Sequence, residues 1–224
     1  MGTDIVFAQP NGGECRGYLS NAAAGGAPGI VVIQQWWGLQ EQIKGLCDRF
    51  ALAGFDALAP DLYGGKVVPY HDTEAAGREM ASLDFLEATD QKVRGAARFL
   101  GRNGAKVGLT GFCLGGAVTV IGCVRISEIA AGVVFYGIPP EEVASPRDVR
   151  VPIQCHFASK DDWCTPELVD RFEGGLTAAG QEFELYRYEA DHAFANEQRA
   201  SVHDRAAAEL AWGRATTFLR SRLG

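Results

Sequence analysis

The chain has no C-x-x-C pair and no cysteine/histidine cluster at zinc-binding spacing, although it carries six cysteines, at positions 15, 47, 113, 123, 155 and 164. A zinc ribbon or a thioredoxin-like redox motif is thereby excluded, and no metal or organic cofactor is expected. At 224 residues the chain needs no disulfide frame, so the thiols read as reduced and the protein as cytoplasmic. Positive charge is also short. Lysine and arginine number 21 against 28 aspartates and glutamates, a net charge of −7, which leaves no electrostatic footprint for nucleic acid or for an anionic membrane. The first residues lack the basic stretch and apolar run of a signal peptide. Val107 to Val124 is uncharged, but its five glycines would weaken a membrane-spanning helix. They suit a buried strand, a sharp turn and a buried helix instead.

Hydrophobic residues make up 47% and charged residues 22%, so a globular core is expected. No internal repeat, low-complexity tract or linker divides the chain, and residues 1–224 read as one domain. Gly29 to Ile33 is a continuous β-branched run, the pattern of a central strand covered on both faces. Ile43, Leu46, Cys47, Phe50 and Ala51 follow helical spacing, with Gly54 as the stop, and Phe55 to Ala59 is again strand-like. The alternation continues with a helix around Val93 to Leu100, a strand from Ala105 to Thr110 and a helix from Leu114. Further strands follow at Ala131–Tyr136 and Val151–Phe157. Thr165 and Pro166 then open a helix as N-cap and first residue. A strand at Glu182–Tyr188 and a final helix lined by Ala207, Ala211, Ala215, Phe218 and Leu219 complete the pattern. This is an α/β chain with a mostly parallel central sheet and helices on both faces. Asn11-Gly12-Gly13 between two short strands predicts an antiparallel hairpin at the N-terminal edge. Tyr63 to Ser82 has few large apolar residues and is expected to be an irregular excursion near the site.

The chemistry concentrates in Thr110-Gly111-Phe112-Cys113-Leu114-Gly115-Gly116, which sets Cys113 between glycines, after a strand and before a helix. This is the G-x-S-x-G nucleophile elbow with cysteine in place of serine. A helix N-terminus favours negative charge and so favours thiolate over thiol. Cysteine in such a segment can also be a small packing residue. The topology separates the two readings, because a nucleophile needs an acid and a histidine later in the chain. His192 lies after the last strand, where a catalytic histidine loop belongs. His71 and His203 do not fit that order, and His156 falls within the strand Val151–Phe157, as a satisfied core histidine or a partly exposed one. Asp161, at the end of the preceding strand, is preferred as the orienting acid, with Asp162 as the alternative.

Gly111-Phe112-Cys113-Leu114-Gly115-Gly116, Asp61-Leu62-Tyr63, Asp161 and Asp191-His192-Ala193-Phe194 together resemble the dienelactone hydrolases (carboxymethylenebutenolidases). The resemblance spans most of the chain. It implies an α/β-hydrolase fold and a Cys113-His192-Asp161 triad that opens enol-lactones by acyl transfer to sulfur and then hydrolysis. The oxyanion hole is expected from the backbone N–H groups of Leu114 and Trp36. The sequence departs from the family at Gln35, where the family has a glutamate that helps to deprotonate the cysteine. A glutamine cannot take that proton. It departs again at Asn196, where the family has a carboxylate-binding arginine. Arg199 is the nearby substitute, and Arg78 falls loosely in the region of the family's other arginine, although it could equally be a solvated surface residue. Trp37, Tyr63 and Tyr136 fall at or near predicted strand ends, where they could line an apolar pocket or equally be core packing; with Gln35, Arg78 and Arg199 they are the expected substrate-binding residues, and the expected partner is a small lactone or ester. The competing reading is a catalytically weak small-ligand binder or a thiol redox sensor.

Overall fold

The computed structural model describes residues 1–224. Eight strands form one sheet: β1 (Thr3–Ala8), β2 (Glu14–Ser20), β3 (Gly29–Ile33), β4 (Asp56–Pro60), β5 (Val107–Phe112), β6 (Ile129–Phe135), β7 (Ile153–Lys160) and β8 (Phe183–Asp191). Their order across the sheet is β1-β2-β4-β3-β5-β6-β7-β8. β1 pairs with β2, and β2 with β4, in antiparallel fashion, while every pairing from β4 to β8 is parallel. This matches the expected N-terminal hairpin on a mostly parallel sheet. The parallel strands demand crossovers, and α1 (Glu41–Leu52), α2 (Thr73–Ser82), α3 (Phe85–Glu87), α4 (Arg94–Gly101), α5 (Leu114–Arg125), α6 (Pro166–Ala178) and α7 (Arg205–Leu223) lie within or after them.

The central strands β3 and β5 are buried along their whole length, as their unbroken apolar sequences require. One face of the sheet packs Ile43, Phe50, Phe55, Phe218 and Leu219 from α1, the turn after it and α7 against Ile30, Val32 and Val133. The other face packs Val93, Ala96, Leu100, Leu114 and Val118 against Val31, Ile33 and Leu109. Each large side chain so buried contributes about 1.5–3 kcal/mol. The uncharged stretch from Val107 divides into β5, a turn at Cys113 and α5, and no helix is long and apolar enough to cross a membrane.

One expectation needs correction. Residues 63–82 are not irregular throughout, because Thr73–Ser82 forms α2, with the Asp72 carboxylate accepting the Ala75 N–H at its N-terminus. This helix buries only Ala76, so it carries almost none of the apolar periodicity by which a helix is recognised. The helix expected from Val93 also begins earlier, through α3 and a π-helical stretch at Ala88–Val93.

Candidate active site

The C-terminal ends of the parallel strands place the candidate residues. Cys113 sits between β5 and α5 with φ 57° and ψ −118°, a conformation that costs a non-glycine residue energy and persists only where its surroundings enforce it. The flanking glycines show how. A side chain on Gly111 would place its Cβ 2.1 Å from the Gly115 oxygen, and one on Gly115 would meet the Gln34 and Ile33 carbonyls at 2.6 Å. On Gly116 it would meet the Phe135 oxygen at 2.6 Å. The absence of Cβ atoms lets the first turn of α5 lie against the end of β3. Gly137, which the sequence reading did not single out, does the same from β6: a Cβ there would stand 2.1 Å from the Cys113 oxygen.

Two backbone donors lie in the segments that approach each other there. Leu114 is the first residue of α5, so its N–H has no partner within the helix. The Trp36 N–H, in the loop after β3, donates to no group in the protein. Nearby, the Gln34 Oε1 accepts the Leu62 N–H at 3.1 Å. Gln35 is buried, and its Nε2 donates to the Gln42 Oε1 of α1 at 3.2 Å. The Gln42 Nε2 is left without a partner.

His192 follows β8, and its Nδ1–H donates to the Asp161 Oδ2 at 2.7 Å. The other oxygen, Asp161 Oδ1, accepts the backbone N–H groups of Trp163 at 2.7 Å and Cys164 at 2.9 Å. Burial pushes the Asp161 pKa up, but the hydrogen bond and charge of His192, with the two N–H donors, hold it below the ordinary aspartate value. Burial likewise opposes the charged form of His192. The influence of Cys113, the largest upward one, and the hydrogen bond and charge of Asp161 outweigh it, and the imidazole pKa rises from 6.5 to about 10. Asp162 is exposed and makes no side-chain hydrogen bond to His192.

His156 occupies a different environment. It is fully buried, its Nε2–H donates to the Gln154 Oε1 at 2.9 Å, and its Nδ1 accepts the Tyr188 O–H at 2.8 Å. The tautomer follows because an amide oxygen can only accept. Burial, with the nearby Arg214 charge, pulls its pKa down to about 3.

Of the expected substrate-binding residues, Tyr136 is fully buried at φ 39°, with its ring 5.1 Å from that of His192. Trp37 stands edge-on to Trp36 and Tyr70, and the Arg199 guanidinium lies 5.6 Å over its ring. Arg199 is half-buried and forms no ion pair with a carboxylate. Tyr63 is buried, its N–H bound by the Asp61 carboxylate at 3.0 Å. The Tyr63 and Tyr136 hydroxyls, the Trp37 Nε1 and the Asn196 Nδ2 are buried donors without partners. Arg78 is not brought to this group: it is exposed on α2 and paired with Glu74. The sequence reading missed Gln42, Tyr70 and Trp163. The signal for Trp163 was its place two residues after the candidate acid. No group of three or more histidine, cysteine or acidic side chains is arranged to hold a metal ion.

A left-handed turn between a buried parallel strand and a helix, with a histidine after the last strand and an aspartate after the strand before it, defines an α/β-hydrolase fold. Residues 15–223 match the dienelactone hydrolase family, and the chain belongs to that family. It is 34% identical over 234 residues to Protein usf of Aquifex pyrophilus, with both chains fully covered. A provisionally named carboxymethylenebutenolidase of Aquifex aeolicus is 30% identical, again over the whole of both. Among solved structures, a provisionally assigned dienelactone hydrolase of Klebsiella pneumoniae superposes with a TM-score of 0.85 at 27% identity, covering 97% of this chain and 98% of that one. Membership supports hydrolysis of small lactone or ester substrates as the class of activity.

Proposed function

We propose that the protein hydrolyses small carboxylic esters or lactones through an acyl-cysteine intermediate, with Cys113 as nucleophile, His192 as base and then acid, and Asp161 as the group that orients His192. With Nδ1 committed to Asp161, Nε2 is the nitrogen left to serve the thiol. His192 takes the proton from Cys113, and the sulfur attacks the carbonyl carbon. The Trp36 and Leu114 N–H groups stabilise the negative oxygen that develops. The C–O bond then breaks, and His192 returns its proton to the leaving oxygen, which in a lactone stays tethered to the acyl chain. Water attacks the thioester carbon and gives a proton to His192, the S–C bond breaks to release the acid, and His192 returns the proton to the Cys113 sulfur.

The observation that carries this reading is the strained Cys113 backbone at the N-terminus of α5, combined with the His192–Asp161 hydrogen bond at the ends of β7 and β8. The assay is hydrolysis of p-nitrophenyl acetate and of a set of charged and neutral lactones. Wild-type protein inert on every member would overturn the reading. The unpaired Arg199 is the candidate anchor for a substrate carboxylate; loss of any preference for charged over neutral lactones would remove it from that role.

A pH dependence follows. The folded protein favours protonated His192, so the stabilisation is complete below the ordinary pKa of 6.5 and is lost as the pH climbs from there through about 10. In Cys113→Ala the largest upward influence on the imidazole is gone. His192 is then expected to titrate at lower pH by NMR, and thermal stability to change less between pH 6.5 and 10. Superimposable titration curves for the two proteins would contradict the coupling.

Gln35 gives the alternative its support, since the family's glutamate is missing there and a weakly catalytic binder or thiol sensor becomes a coherent second reading. The variant Gln35→Glu is expected to raise kcat/KM on lactones by about tenfold, less than the roughly 10²- to 10⁴-fold of a full general base because His192 already serves the thiol. Gln42 presents its Oε1 to Gln35, so an amide flip that turns its unpartnered Nε2 inward would let it donate to the new carboxylate. An unchanged or lower rate would show that a missing carboxylate does not limit thiol activation.

A further inference from the structure

Trp163 is the one aromatic residue among the large hydrophobic side chains exposed to solvent, at 59%. Tryptophan is seldom left so open, because covering its surface is worth several kcal/mol. Its position is not that of a stray surface residue. The ring meets Trp36 edge-on at 5.5 Å, Trp36 meets Trp37 at 5.0 Å, and Trp37 meets Tyr70 at 5.4 Å, so Trp163 ends a continuous row of aromatic contacts. Its centroid is 6.5 Å from that of His192. Tyr136 is nearer to His192 but fully buried, so of the two aromatic rings that stand against the imidazole Trp163 is the one open to an incoming group.

The Asp161 carboxylate ties the two rings together. Its Oδ2 receives the His192 Nδ1–H, and its Oδ1 receives the Trp163 backbone N–H at 2.7 Å. The Trp163 backbone is thereby anchored to the same carboxylate as the imidazole that hands a proton to the leaving oxygen. A group attached to that oxygen lies next to His192, and the Trp163 ring, with its centroid 6.5 Å from that of the imidazole, is within its reach.

We propose that Trp163 is the platform of a leaving-group subsite that takes an aromatic ring, so that esters of aryl-bearing alcohols are preferred substrates. This rests on the hydrolase reading given above. Benzyl acetate and ethyl acetate form the same acetyl-enzyme and share its hydrolysis step, so a difference between them in kcat/KM reports on the alcohol portion alone. Wild type is expected to favour benzyl acetate. In Trp163→Ala the benzyl-to-ethyl ratio of kcat/KM is expected to fall about two- to tenfold, the span of one aromatic pair contact, and in Trp163→Phe most of the ratio should return. A ratio that stays constant in Trp163→Ala, including a proportional loss on both esters, would overturn the subsite and leave the hydrolase reading standing. Wild type inert on both esters, and on p-nitrophenyl acetate, would overturn both.

Discussion

Cys113→Ala is expected to lower ester and lactone turnover by about 10⁴- to 10⁶-fold, the cost of removing a nucleophile from a triad-type site. The residue is half-buried and its backbone is held by groups that the substitution does not touch: its N–H donates to the Phe135 oxygen at 3.0 Å, and its carbonyl accepts the Gly116 N–H at 2.9 Å. Circular dichroism and the unfolding midpoint should therefore show a folded protein. Turnover is measured with p-nitrophenyl acetate. Rates within tenfold of wild type would mean that the ester is cleaved without a covalent step at this sulfur. Such a result would leave Cys113 as a packing residue in a glycine-rich turn.

Asp161→Asn is expected to reduce kcat by about 10³- to 10⁴-fold, because an amide in that place can present an N–H to the imidazole and favour the wrong tautomer. The same substitution disturbs little else, since the retained oxygen can still accept the Trp163 and Cys164 N–H groups. Asp162→Asn serves as the contrast. That side chain is exposed and has no hydrogen bond to His192, so its loss should change kcat by less than about twofold. Comparable losses in the two variants would remove Asp161 from its orienting role.

Much of the architecture was legible because burial leaves a local imprint. Gly29–Ile33 and the apolar run into Phe112 read as strands since both faces are covered, and the helix after Cys113 was expected from its glycines and apolar content. The helix Thr73–Ser82 was not legible, because a helix that buries a single alanine has no apolar stripe to detect. The spacing of Cys113, Asp161 and His192 led to the expectation that the three converge at the strand ends, and of that set the structure shows the Asp161–His192 hydrogen bond. What local sequence could not disclose were contacts between distant segments. Gly137 presses on the Cys113 carbonyl from the end of β6, Gln42 faces Gln35 from α1, and Trp163 meets Trp36 from across the sheet. Arg78 shows the converse error, where a loose positional match proposed a substrate contact and the side chain turned out to pair with Glu74 one helical turn away.

The most direct measurement is mass spectrometry of wild-type protein quenched in acid during turnover of p-nitrophenyl acetate. Tryptic digestion yields the peptide Val107–Arg125, which contains both Cys113 and Cys123, so fragmentation must assign the modified residue. The account predicts one acetyl group, carried on Cys113, that forms and disappears at rates compatible with turnover. An acetyl group on Cys123 or another side chain, or full turnover with Cys113 never acylated, would contradict it.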